Sequence, residues 1–178
     1  MNVIETEPPV PAWAHRVAQA IPLVALPVCL WRLPVIGHGM GGEPLSPTVG
    51  HIAYVITLSV LSELAALLSF GLVRPWGERV PAWVPRLAGK RIPPAVALVP
   101  ATAGGLLLTV VLGVWLYNAL AIGPDAWPYE PGWNILAMTV SGLMNLWGPL
   151  LLILAHAYYR RRTTADLRQQ PPSGTYAV

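Results

Sequence analysis

GHIAYVITLSVLSELAALLSFGLV, residues 50–73, followed at once by RPWGERVPAWVPRLAGKRIPP, residues 74–94, decides the fold. The first stretch is apolar for longer than the roughly 20 residues a helix needs to cross a hydrocarbon layer, and its one Asp, Glu, Lys or Arg is Glu63. The second carries Arg74, Arg79, Arg86, Lys90 and Arg91 between prolines and tryptophans. An apolar span that ends in a short basic segment is the signature of a membrane helix emerging into the cytoplasm.

Working outward, three further stretches have the same character: 17–36, 94–118 and 133–159. With 50–73 they predict an all-α polytopic membrane protein, a bundle of four transmembrane helices. Composition agrees, because 54% of the 178 residues are hydrophobic and 11% are charged, against roughly 25% charged in soluble domains. The mean hydropathy is +0.54, and a chain with so little polar surface is better solvated by lipid than by water. The span at 17–36 is the most interrupted, by Pro22, Pro27, Pro34 and Arg32. A kink is expected there, with neighbouring helices re-satisfying the freed carbonyls. Glu5 and Glu7 ahead of it, and the prolines within it, argue against a cleavable signal peptide.

Lysine and arginine fix the expected orientation. Arg16, the five bases of 74–91, and Arg160, Arg161, Arg162 and Arg168 all fall on one side of the four spans, which accounts for ten of the eleven basic residues and leaves Arg32 inside a span. The connections 38–49 and 119–132 contain no base and hold Glu43, Asp125 and Glu130. The expected location is the bacterial cytoplasmic membrane, with a cytoplasmic leader at 1–16, the membrane domain at 17–159 and a cytoplasmic tail at 160–178. This placement also explains the net charge of +3 without a nucleic-acid partner. The basic 74–91 segment, with Trp76 and Trp83, suits the inner headgroup layer. Attraction of anionic lipid and a plain positive-inside loop are both compatible with it.

The stretch LSELAALLSFGLVRPWGERVPAWVPRLAGKRIPPAVALVPATAGGLLLT, a little over a quarter of the chain, resembles a segment of small four-span membrane proteins of high-G+C bacteria. RPWG followed by VPxWVP carries the resemblance. It implies residence in the membrane and transfers no active residue, because no function is assigned to that group.

Glu63 is the leading candidate for an intramembrane site. It lies about 20 Å below the outer end of its span at 1.5 Å per residue, where a carboxyl should face the bundle. Ser59, Ser62, Ala66 and Ser69 line a small, slightly polar stripe beside it. A proton or cation site and a helix-joining structural acid are the two readings. Arg32, about 6 Å from the outer end by the same rise, is expected to snorkel outward, a pair with Glu63 being the alternative. Asn145, one turn before Pro149, is the third candidate. Pro149 cannot donate to the Asn145 carbonyl, so a kink is expected there.

In the third span Ala101, Gly105, Thr109 and Gly113 recur every fourth residue, a ladder of small side chains that lets another helix approach closely. His38, Glu43 and His51 form no tight ligand pattern, His51 and His156 fall at opposite faces, and His156, Tyr158 and Tyr159 suit an aromatic belt. No metal and no cofactor is expected. Phosphate loops, dinucleotide fingerprints and nucleophile elbows are missing from the sequence, so no enzyme is expected. The favoured function is an accessory or assembly component partnered by lipid and by another membrane protein or its own copies. The alternative is a small proton- or cation-coupled transporter or channel-forming oligomer that uses Glu63.

Overall fold

A computed structural model describes residues 9–37, 48–77, 89–90, 92–122 and 131–169. The chain forms α1 (Ala12–Gly37), α2 (Val49–Leu67), α3 (Pro94–Ile122), α4 (Pro131–Met144) and α5 (Trp147–Gln169), with short 3-10 turns at Leu68–Leu72 and Pro75–Gly77. No strand occurs among the described residues. Four segments, Ala12–Leu33, Val49–Leu72, Pro94–Ala121 and Gly132–Thr164, are long and apolar enough to cross a membrane. Large apolar side chains such as Leu23, Leu61, Val110 and Ile135 point outward from all four. This is an all-α four-helix membrane bundle.

The boundaries depart from the sequence reading in informative ways. Helix α1 starts at Ala12 and runs as one α-helix past Pro22 and Pro27, so the last residues of the expected leader belong to it. Helix α5 continues to Gln169, beyond the expected span end at Tyr159, because Arg160–Thr164 still satisfy helical bonds, with Thr163 and Thr164 hydroxyls donating to Tyr159 and Arg160 carbonyls. The fourth span is two helices separated by a turn at Asn145–Leu146. There the backbone tightens to three-residue bonds, Asn145 N to Gly142 O at 3.1 Å and Leu146 N to Leu143 O at 3.0 Å. The missing donor at Pro149 is the physical reason: the chain breaks its ladder at the carbonyl that proline leaves unserved.

The core lies around α1, which packs on α2, α4 and α5. Its buried stripe is Ala14, Ala18, Ile21, Ala25 and Val28, spaced four and three residues apart as a helix seam requires. Three of those five are alanines, small enough to bring neighbours close. Trp31 and Trp133, their rings tilted by 41° with centroids 5.3 Å apart, tie the end of α1 to the start of α4. Helix α3 is the outlier. It rests on α5 and touches the 3-10 turn after α2, and 6% of its apolar window is buried against 22–28% for the other spans. Lipid is as apolar as leucine, so hydrophobicity alone does not draw α3 inward.

At the end of the bundle that holds Leu72, Ile92 and Arg161, hereafter the basic end, the last helix stitches the others together. Arg161 Nη2 donates to the Leu72 carbonyl at 3.3 Å, and Arg162 Nη2 donates to the Ile92 carbonyl at 2.7 Å. Tyr158, expected in an interfacial belt, is instead buried. Both arginines lie over its ring, at 5.8 and 5.7 Å, so the tyrosine is a packing post for charged neighbours rather than a headgroup contact.

Candidate functional site in the seam between α1 and α2

Glu63 sits on α2 in the turn between buried Ser59 and buried Ala66. Ser62 spends its hydroxyl on the Leu58 carbonyl at 2.7 Å, as serines in apolar helices do when no cross-helix partner is near. The expected polar stripe is therefore real along α2, with Ser59, Ala66 and Ser69 buried. Facing it across the seam is Cys29 of α1. Its thiol donates to the Ser59 carbonyl at 3.4 Å and lies beside the Glu63 carboxyl.

Cys29 is the site residue that the sequence did not single out. It is buried, on the same side of α1 as Ala25 and Val28, and it is the contact through which α1 reads the polar stripe of α2. The signal that could have found it was its place four residues after Ala25, on the seam face of α1.

Arg32 follows Cys29 by one turn, close enough for its charge to act on the thiol. It does not snorkel fully: the residue is half-buried and its Nη1 is enclosed without a hydrogen-bond partner. Nor does it pair with Glu63, whose Oε2 is likewise enclosed without a partner. Register explains the separation. Cys29 and Ser59 are level, Arg32 lies about 4.5 Å beyond them in one direction along the helix axis and Glu63 about 6 Å in the other. The arrangement is a polar row, Arg32, Cys29, Glu63, with the thiol in the middle.

Asn145 does not join that row. Its Nδ2 donates to the Ser141 carbonyl at 3.4 Å, within the break between α4 and α5. The α3 ladder divides as well. A Cβ at Gly105 would stand 2.9 Å from Leu152 of α5, and Thr109 returns its hydroxyl to the Gly105 carbonyl at 2.7 Å. These two face Gly148, whose own Cβ would meet the Thr109 amide nitrogen at 2.6 Å and the Gly105 carbonyl at 2.9 Å. Ala101 lies off that crossing and lines a cleft toward α2. Gly113 has nothing within 4 Å of its Cβ position. It is exposed and, against expectation, packs no helix here, because the tight α3–α5 contact is local to Gly105 and Thr109.

Among the described residues no group of three metal-binding side chains exists; His38 and Glu43 lie outside those residues. His51 gives its backbone N–H to the Thr48 hydroxyl at 3.3 Å, capping α2, and the His156 side chain is exposed. Chemically, the seam offers a carboxyl oxygen and a guanidinium nitrogen, both enclosed and without protein partners, on either side of a thiol. No protein family, curated protein or solved structure matches this chain.

Proposed function

We propose that this chain is a non-enzymatic accessory or assembly component of the bacterial cytoplasmic membrane that receives a partner membrane helix along α3. The observation that carries the reading is the 6% burial of the α3 window. Helix α3 has one substantial neighbour, α5, and less of its apolar window is buried than in any of the other three spans. Its far side presents Leu106, Val110, Val114 and Tyr117, all exposed, around the open notch of Gly113. Small residues flanked by larger ones at helical spacing are what membrane helices use to dock. A helix from another protein or from a second copy would complete the packing.

A photo-crosslinking residue at Val110 or Tyr117, irradiated in native membranes, tests this directly. A discrete protein adduct is expected, and adduct mass separates a second copy, 19.2 kDa, from a different subunit. The alternative, a proton- or cation-coupled transporter, is favoured by the enclosed oxygen of Glu63. It requires no partner. If the α3 probes give no protein adduct while the purified chain alone carries protons or cations into liposomes, and Glu63→Gln stops that flux, the accessory reading fails and the transporter stands.

The proposed orientation places both termini in the cytoplasm, supported by the bias of basic residues. Reporter fusions at Lys90 and after Gln169 should read cytoplasmic, and fusions after Gly42 and Asp125 periplasmic. A periplasmic Lys90 fusion reverses the assignment.

A further inference from the structure

Between the 3-10 turn after α2 and the first half of α3 lies an open cleft of about 500 Å³, within the size range of single-ligand sites. Its walls are Leu68 and Leu72 on one side and Ala97, Ala101 and Gly104 on the other, with Leu151 of α5 as floor. The lining is mostly apolar, with the Ser69 hydroxyl and the indoles of Trp76 and Trp147 as its polar side-chain groups. Along α3 the cleft runs from Val96 to Leu108, about 18 Å at 1.5 Å per residue.

That length decides what fits. The hydrocarbon core is about 30 Å thick, so one leaflet is about 15 Å deep. A docking helix needs a groove that continues across both leaflets, while an acyl chain needs one leaflet only. The cleft also starts at the basic end. Leu72, Trp76 and Ile92 line its mouth. Arg161 and Arg162 bond the carbonyls of Leu72 and Ile92, Arg74 lies over the Phe70 ring at 5.4 Å, and Lys90 is exposed two residues before Ile92. The sequence from Arg74 to Arg91 opposes these cations with Glu78 alone. Tryptophan at such a mouth suits the headgroup boundary.

The geometry points to a site for an anionic glycerophospholipid drawn from the leaflet at the basic end, one acyl chain lying in the cleft between α2 and α3 and the phosphate held by Arg74 and Lys90. Cationic rim and apolar trough are complementary to the two halves of such a lipid, and a zwitterionic lipid would match only the trough. The site is separate from the proposed partner face. Ala97, Ala101 and Gly104 project from the opposite side of α3 to Val110 and Tyr117 at 100° per residue, so the two surfaces can be tested apart.

The test uses the full chain in detergent, equilibrated with equal amounts of phosphatidylglycerol and phosphatidylcholine of the same acyl composition and read by native mass spectrometry. Wild type should retain phosphatidylglycerol over phosphatidylcholine by roughly thirtyfold, as two cations at a membrane surface imply. Gly104→Phe should lose the bound lipid of both kinds. Its Cβ position meets nothing within 4 Å, so the ring fills the cleft without displacing a helix, and an unchanged thermal midpoint will verify this. Ala97→Phe serves if it does not. The double variant Arg74→Gln with Lys90→Gln should keep a lipid but choose between the two headgroups within about a factor of two. Equal retention of both lipids by wild type, no retained lipid, or undiminished lipid in both phenylalanine variants overturns the site. So does a disulfide-linked protein adduct through Ala97→Cys in membranes, which would assign the cleft to another chain.

Discussion

Gly148→Ala is expected to destabilise the protein by about 3 kcal/mol or more, at the top of the range for overpacked interiors. Gly105→Ala should cost about 1 kcal/mol, and Gly113→Leu close to nothing. The order follows from what each added carbon meets. At Gly148 it meets backbone, the Thr109 amide and the Gly105 carbonyl, and two helices must separate to admit it. At Gly105 it meets Cγ and a Cδ of Leu152 at 2.9 Å and the Gly148 carbonyl at 3.4 Å; the leucine side chain can shift for a methyl group but not for another leucine, so Gly105→Leu should approach Gly148→Ala in severity. At Gly113 the space is open. Thermal midpoints in one detergent check the series. Equal midpoints for Gly148→Ala and Gly113→Leu would mean that α3 does not cross α5 where the structure puts it.

A second large loss is expected at Gly77→Ala, about 3 kcal/mol, with increased protease cleavage near the basic end. A Cβ at Gly77 would fall on the Gly71 carbonyl, backbone against backbone. The fold there is tight because Arg74 N bonds Phe70 O at 2.9 Å and Gly77 N bonds Arg74 O at 3.1 Å, turning the chain back on itself within RPWG. Gly71→Ala should be milder, since its Cβ meets the Trp76 ring at 2.8 Å and a half-exposed ring can swing. If Gly77→Ala melts with wild type, the two turns are not in contact.

The four spans were legible in the sequence because hydropathy is local: a run of apolar residues announces itself without knowledge of its neighbours. Span α1 looked weakest for the same reason. Averaging over Pro22, Pro27, Pro34 and Arg32 hid the seam Ala14, Ala18, Ile21, Ala25, Val28, which makes it the central helix. The Gly105 ladder was readable as a packing device, but spacing describes one helix and says nothing of where a neighbour diverges, hence the misplaced expectation for Gly113. Pro149 correctly pointed to trouble at Asn145, though a break into two helices was beyond its reach. The closeness of Cys29 and Glu63, and the separation of Arg32 from Glu63, depend on the relative register of two helices joined by a connection outside the described residues. No count along one strand of sequence encodes that offset.

The stitches that Arg161 and Arg162 make to Leu72 and Ile92 also impose an order on synthesis. The hairpin of α1 and α2 can assemble as soon as both have left the ribosome, since each finds its main partner in the other. Helix α3 cannot, because its substantial neighbour is α5, which follows it in the chain. Until then it must wait in lipid as a lone span, which its high apolarity permits. Only when Arg161 and Arg162 arrive are the carbonyls at the start of α3 and the end of the 3-10 turn after α2 bridged by one helix. Helix α5 is therefore the clasp of the bundle, holding α3 on one side, packing on α1 on another and reaching Leu72 and Ile92 with its arginines.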